Sequence, residues 1–217
     1  MLASLEAVGA IQQDRQTEKY HLGLKLFELG HRVPLYHTFA QTTRPALKEV
    51  AQKIRETVHL AILKGDQIFY VDKVESPLGL KISTQIGSFR PAHCTSLGKV
   101  LLAYCAEEQL GNLWSATKLP RFTPYSIADP LQLREALGQV RAAGYAIDRE
   151  EFEIGLICVA VPIFNQAGAV VAALSASGPA NRFREESVGE YVAILREGAG
   201  RIQQSIGYLT PQTISNG

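Results

Sequence analysis

The chain lacks an excess of charge of either sign. Its 217 residues contain 22 Lys and Arg against 21 Asp and Glu, which gives a formal net charge of +1. A basic tail or an acidic run is the usual sign of a polyanionic or polycationic partner, and the sequence has neither. Any contact with nucleic acid must therefore be confined to one part of the chain.

Cysteine pairs and long apolar runs are also missing. Cys94, Cys105 and Cys158 are odd in number and widely spaced, which argues against a disulfide framework or a structural zinc site. No apolar run approaches the ~20 residues that span a bilayer, and the first residues lack the basic and apolar regions of a signal peptide. We therefore expect a cytoplasmic protein without membrane contacts.

The first forty residues have the pattern of a small unit and a connection. LASLEAVGAI has the apolar spacing of a helix that stops at Gly9, and a polar turn from Asp14 separates two short segments that predict a hairpin. LGLKLFELG then places leucines at helical spacing up to Gly30. We expect residues 1–20 to be the remnant of a larger unit and residues 21–40 to form a linker helix and connection.

The remainder of the chain has an α+β pattern. A threonine-capped amphipathic helix from Thr42 precedes three predicted strands, TVHLAILKG, QIFYVDKVES and GLKISTQIG. Three helical segments follow, namely HCTSLGKVLLAYC, AEEQLGNLWSA and LQLREALGQVRAAG, the last stopping at Gly144. A long helix from Phe183 then follows three more strands, YAIDREE, ICVAVPIFN and AVVAALSASG. This order predicts an antiparallel sheet with flanking helices over residues 41–209, with a tail at 210–217.

A helix start in mid-chain offers a place for a small anion. In CTSLGK, Thr95 or Ser96 is a favourable cap residue, and Gly98 allows another backbone to approach. The amides of Ser96, Leu97 and Gly98, with the positive end of the helix dipole, would hold a carboxylate. Most capped helices bind nothing, so the residues alone leave a simple capped helix as the alternative.

Small polar side chains in the late strands predict one wall of a pocket. Ser175 and Ser177 are two residues apart in ALSASG, so both hydroxyls lie on one face of a strand. In ICVAVPIF the same period groups Cys158 with small neighbours, which leaves room for a ligand. The alternatives are a solvated strand face for the serines and a buried, inert cysteine.

Asp148 ends the predicted strand YAID. Its carboxylate would repel the acid group of a ligand, so we expect it to bind ligand hydroxyls instead. The neighbouring Glu150 and Glu151 are interpreted as a solvated turn. Amides for the acid end, with Asp148 and the serines for the hydroxylated end, suit a keto or sugar acid better than a purely apolar acid.

Four motifs resemble the IclR family of bacterial transcriptional regulators, and their spacing along the chain also matches. They are EKYHLGLKLFELG, PAHCTSLGKVLLA, AGYAIDREEFEIGLICVAVPIF and ALSASGPANRF. The resemblance implies a winged helix-turn-helix followed by a GAF-like effector-binding domain, assembled as a homodimer or homotetramer. Within the family, KLFELG, GKVLLAY and EYVAIL are most similar to the branch that regulates sugar-acid catabolism.

The resemblance implies a transcriptional regulator, expected to be a repressor, that senses a small carboxylate such as a keto or sugar acid. It places effector contacts at the positions of Ser96, Leu97 and Cys158. The first two helices of the winged helix-turn-helix and most of its recognition helix would precede Leu2. DNA binding is therefore expected only of the intact protein.

The linker helix is the expected route of the signal. A ligand acts on a distant DNA reader only by favouring one of two arrangements, and the helix connects the two units. Leu22, Leu26 and Phe27 are expected to pack against a partner subunit. A dimerisation module that has lost its ligand is one alternative to the sensor.

An enzyme is the other alternative. His93 next to Cys94 suggests a thiolate with an imidazole base, and a GAF-like redox enzyme would act through Cys94 or Cys158. Adjacent loop residues rarely present their side chains to each other, and no orienting acid is identifiable, so we expect no catalytic residues. The histidines show no metal-ligand spacing, and neither a metal nor a cofactor is expected.

Overall fold

The computed structural model describes residues 1–31, 39–78, 82–106, 110–115 and 119–207. In chain order its elements are α1 Leu2–Ala7, β1 Ile11–Gln13, β2 Tyr20–Leu22, α2 Leu24–His31, α3 Gln41–Ile54, β3 Thr57–Lys64, β4 Gln67–Val74, β5 Phe89–Pro91, α4 Ser96–Tyr104, α5 Gly111–Ser115, α6 Pro130–Ala143, β6 Ala146–Arg149, β7 Leu156–Phe164, β8 Val170–Pro179 and α7 Val188–Ile206. Within the described ranges, no helix has both the length and the apolar character that a bilayer crossing requires.

Six strands form one antiparallel sheet in the order β5-β4-β3-β8-β7-β6. The central β3–β8 pair joins the early strands to the late ones, with His59 opposite Ser175. Helices α3 and α7 cover one face of this sheet, and α4 and α6 cover the other. The predicted α+β class, an antiparallel sheet with flanking helices, is confirmed.

Each face of the sheet has its own apolar cluster because side chains alternate along a strand. In β8, Leu174 and Ala176 belong to the cluster under α3 and α7, whereas Ala173 belongs to the cluster under α4 and α6. The two helices of the first face approach closely at Gly198. A Cβ atom at this glycine would lie 2.4 Å from Cγ2 of Val50.

The amino-terminal elements follow the sequence prediction with two corrections. Gly9 adopts a left-handed φ of 70° directly after α1, as a helix stop requires. Gly30, however, lies inside α2, which continues to His31. Leu22 of β2 pairs with Ile11 of β1, which confirms the predicted hairpin. The linker helix, to which helical spacing also assigned Leu22, begins only at Leu24.

Two further expectations in the main domain are wrong. Ile82–Gly87 forms no strand, residues 79–81 lie outside the described ranges, and the third strand of the meander is β5 instead. Thr43 does not cap α3, because its hydroxyl donates to the carbonyl oxygen of Ala40 over 3.1 Å. Of the helix expected in AEEQLGNLWSA, the described part contains α5.

Candidate effector-binding site

A partly enclosed cavity of about 40 Å³ lies between the first turn of α4 and the adjacent face of the sheet. Six of the seven predicted site residues line it, and Gly98 does not. The complete lining is His59, Tyr70, Ile82, Ser83, Thr84, Arg90, Thr95, Ser96, Leu97, Asp148, Phe152, Glu153, Leu156, Cys158, Ser175 and Ser177. Residues far apart in the sequence thus meet in one cavity, whose lining combines polar and apolar side chains.

The sheet places polar side chains in a row along one wall of this cavity. Ser177 lies opposite Cys158, and Cys158 in turn lies opposite Asp148. Residues directly opposite in antiparallel strands point to the same face, so this row crosses the three strands β8, β7 and β6. The period of two in β7 and β8 therefore groups these side chains as the sequence predicted.

The first turn of α4 is capped as predicted, although one of its amides is not available. Thr95 Oγ1 accepts a hydrogen bond from the Gly98 amide over 3.1 Å. The expectation that Gly98 offers its amide to a ligand is therefore wrong. Ser96 and Leu97 contribute the two remaining amides of the turn, for which the helix supplies no carbonyl partner.

Gly98 has a packing role instead. A Cβ atom at this position would lie 2.1 Å from the carbonyl oxygen of Ala92 and 2.3 Å from its Cα atom. The segment before α4 therefore packs directly against the helix backbone, which fixes the direction in which the first-turn amides point.

Ser175 presents an unsatisfied hydroxyl to the cavity. Its side chain is buried, with 1% of its surface exposed, and its Oγ atom has no hydrogen-bond partner. An unpaired polar group in this position costs about 1–3 kcal/mol, so it is a natural contact for a polar ligand. Opposite it, His59 donates or accepts at Nε2 with Thr84 Oγ1 over 2.7 Å. Burial, aided by the charge of Lys73, lowers the pKa of His59 to about 3, so this imidazole is neutral.

Asp148 is held next to a buried ion pair. Its Oδ1 atom accepts the amide of Glu151 over 2.8 Å, and Glu151 pairs with Lys99 of α4. Lys99 Nζ also donates to the carbonyl oxygen of Ile147 over 2.6 Å. Burial, and then the charge of Glu151, raises the pKa of Asp148 to about 7.

This network corrects the interpretation of Glu151 as part of a solvated turn. Its side chain is buried against Lys99, and the hydroxyls of Thr123 and Ser126 donate to its carbonyl oxygen over 3.2 and 2.6 Å. Glu150 adopts a left-handed φ of 60°, which turns the chain so that the next residue points inward. Sequence spacing could not distinguish this inward turn from an exposed one.

Cys94 and Cys158, the two candidate nucleophiles, lack the features of reactive thiols. Burial raises the pKa of Cys94 to about 12, and it raises the pKa of Cys158 well above the ordinary value. Both are therefore neutral thiols at physiological pH, and a nucleophilic cysteine requires a thiolate. The ring of His93 is hydrogen-bonded to the carbonyl oxygen of Pro120 over 2.8 Å.

Several lining residues were missed in the sequence. His59 follows Thr57 at a spacing of two in an otherwise apolar strand, which is the signal that could have placed it on the serine face. Tyr70, Arg90 and Phe152 gave no such signal, because their place in the cavity depends on the edge of the sheet and on the loop after β6.

Comparison with known proteins decides the family. The family model for the carboxy-terminal domain of the bacterial transcriptional regulator IclR matches residues 31–204. The chain belongs to the IclR family. The HTH-type transcriptional regulator KdgR of Dickeya chrysanthemi is 38% identical to this IclR-family chain over 207 residues, which are 95% of this chain and 68% of that protein.

Solved IclR structures have the same fold. The crystal structure of Thermotoga maritima IclR matches with a TM-score of 0.80 at 34% identity, over 95% of this chain and 83% of that one. An IclR homologue from Microbacterium hydrocarbonoxydans, crystallised with 4-hydroxybenzoate, matches with a TM-score of 0.82 at 29% identity, over 94% and 82% of the two chains. The family predicted from the motifs is confirmed. The family model and KdgR are both named for transcriptional regulators, which does not favour the redox-enzyme alternative.

Proposed function

We propose that this IclR-family chain senses a small carboxylate, such as a keto or sugar acid, in the cavity beneath α4. The unpartnered, fully buried hydroxyl of Ser175 is the observation that carries the proposal. A ligand that pairs with this hydroxyl removes the cost of leaving it unsatisfied. The homologue crystallised with 4-hydroxybenzoate supports a small acid as the effector.

The two ends of the cavity suit two ends of such a ligand. The Ser96 and Leu97 amides lie at the positive end of the α4 dipole, which favours the acid group. Asp148, Ser175 and Ser177 line the sheet side of the same cavity and suit ligand hydroxyls. A carboxylate placed beside Asp148 would instead be repelled whenever that side chain is ionised.

The proposal has further parts. We place the protein in the cytoplasm, as a repressor that binds DNA through a winged helix-turn-helix and assembles as a homodimer or homotetramer. Leu22 and Leu26 expose 82% and 40% of their surfaces, which supports a partner contact along β2 and α2. The effector would act by changing how this connection is arranged.

Isothermal titration calorimetry with gluconate and hexanoate tests the proposal, because these six-carbon acids differ in their hydroxyl groups. The wild-type protein should bind gluconate more tightly, and Asp148→Ala should lower its affinity for gluconate by about tenfold or more, with a smaller effect on hexanoate. Asp66→Ala, at an exposed turn outside the cavity, is the matched control and should change neither affinity.

Two results would contradict the proposal. An unchanged preference in Asp148→Ala would show that this side chain does not read the hydroxylated end. A melting temperature that no acid in a wider panel raises would favour a dimerisation module without a ligand, since a ligand that binds the folded state must stabilise it.

A further inference from the structure

Arg90 faces the same cavity from the edge of the sheet. It lies in β5, opposite Ile68 of β4, and its side chain lines the cavity with Tyr70. Its charge is close enough to Tyr70 to oppose the increase in the pKa of that phenol that burial causes. Arg90 is the only Arg or Lys among the described residues that line this space.

The guanidinium is held in place by an aromatic ring. Its central carbon lies 5.3 Å from the ring centre of Phe152, within the range of a cation–π contact. Phe122 packs against Phe152 with ring centres 5.1 Å apart, which steadies the ring in turn. The orientation of the Arg90 fork is therefore restricted before any ligand arrives.

Arg90 has most of its hydrogen-bonding capacity left. One nitrogen donates to the carbonyl oxygen of Phe89 over 2.9 Å, and in the part of the chain that the structure describes no carboxylate pairs with it. A guanidinium offers five donors in a planar fork that matches a carboxylate. A half-buried, oriented and unpaired cation at the wall of an anion-binding cavity is suited to a second anionic group.

We propose that Arg90 selects effectors with two acidic groups, binding one carboxylate while the first turn of α4 binds the other. The inference rests on the proposed function and narrows its ligand class to small diacids, such as aldaric acids or keto diacids. Glu153 also lines the cavity and opposes a second negative charge. Its side chain is exposed, so solvent screens this repulsion more than it screens the half-buried Arg90.

Two matched pairs of acids test the inference by calorimetry. Gluconate and glucarate differ at one terminal carbon, as do 2-oxopentanoate and 2-oxoglutarate. In at least one pair the wild-type protein should bind the diacid at least about tenfold more tightly than the monoacid. Arg90→Gln should reduce this ratio by about tenfold, with a smaller loss of monoacid affinity than of diacid affinity. The ratio for Arg90→Lys should lie between those of the wild type and Arg90→Gln, because lysine keeps the charge without the fork.

Glu153→Gln is the matched control, because it changes a charge of opposite sign at the same wall of the cavity. It should increase the diacid preference by removing a negative charge. Circular dichroism melting curves establish that each variant is folded. A wild-type protein without diacid preference, or an Arg90→Gln variant with the wild-type ratio, overturns the inference and leaves a monoacid sensor intact. Failure of all four acids to bind overturns this inference, and the proposed function fails with it when no acid of the wider panel raises the melting temperature.

Discussion

At the scale of single residues, the charge state of Asp148 depends on its surroundings. Burial and the neighbouring Glu151 raise the pKa of its carboxyl from 3.8 to about 7 in the folded protein. The folded state therefore holds a proton that the unfolded chain releases. This contribution to stability is fully present below about pH 4 and is lost as the pH rises toward about 7.

Asp148→Asn should remove this pH dependence. Asparagine keeps an oxygen that can accept the Glu151 amide, but it has no proton to lose. The difference in unfolding free energy between the variant and the wild type should shift in favour of the variant by roughly 2–4 kcal/mol from about pH 4 to about pH 8. Urea denaturation at the two pH values measures the difference. If the stability difference between the variant and the wild type is the same at both pH values, Asp148 is ionised throughout the range.

Gly98 illustrates a residue whose role is steric. Gly98→Ala should destabilise the fold by at least about 3 kcal/mol, because the new methyl group overlaps backbone atoms of Ala92 that cannot move without displacing the start of α4. Gly138 of α6 is the control, since a Cβ atom there meets nothing within 4 Å. Gly138→Ala should be neutral or stabilising by up to about 1 kcal/mol in the same urea experiment.

At the scale of elements, the buried Lys99–Glu151 pair connects α4 to the loop after β6. One end of the pair lies on the helix whose first turn offers amides, and the other lies three residues beyond Asp148. Together with the hydrogen bond from Lys99 Nζ to the carbonyl oxygen of Ile147, this pair holds the two halves of the candidate site relative to each other. The second carboxylate oxygen of Glu151 is buried and has no hydrogen-bond partner among the described residues.

Replacing one partner of this pair should lower the free energy of unfolding more than replacing both partners. Lys99→Met leaves a buried carboxylate without its cation and should destabilise the protein by about 3–5 kcal/mol. Lys99→Met combined with Glu151→Met should recover part of that loss, because no buried charge is left unpaired. Urea denaturation of the single and double variants measures the coupling. Strictly additive losses would show that the pair is not coupled.

The elements that the sequence predicted well are those with a strong local period. The alternation in AVVAALSASG placed both serines on one face, and the cap before SLGKVLLA located α4 correctly. The strand expected in GLKISTQIG and the helix stop at Gly30 had no comparably strong local signal. The burial of Glu151 depends on Lys99, which is 52 residues earlier in the chain, so no local pattern could have shown it.

At the scale of the whole molecule, the sheet brings the early and late strands to one cavity, and α4 closes it from above. The exposed apolar residues on β2 and α2 lie outside this arrangement, in the amino-terminal part of the chain. We therefore propose that ligand binding belongs to one face of the sheet and communication to the amino-terminal elements. Both assignments depend on the cavity holding a small acid.

A crystal structure of the protein with gluconate tests that claim most directly. We expect a carboxylate oxygen within about 2.7–3.2 Å of the amide nitrogens of Ser96 and Leu97, with a ligand hydroxyl at Ser175 Oγ. Gluconate bound elsewhere, or bound in the reverse direction with its carboxylate on Ser175 and its hydroxyls on the α4 amides, would contradict it.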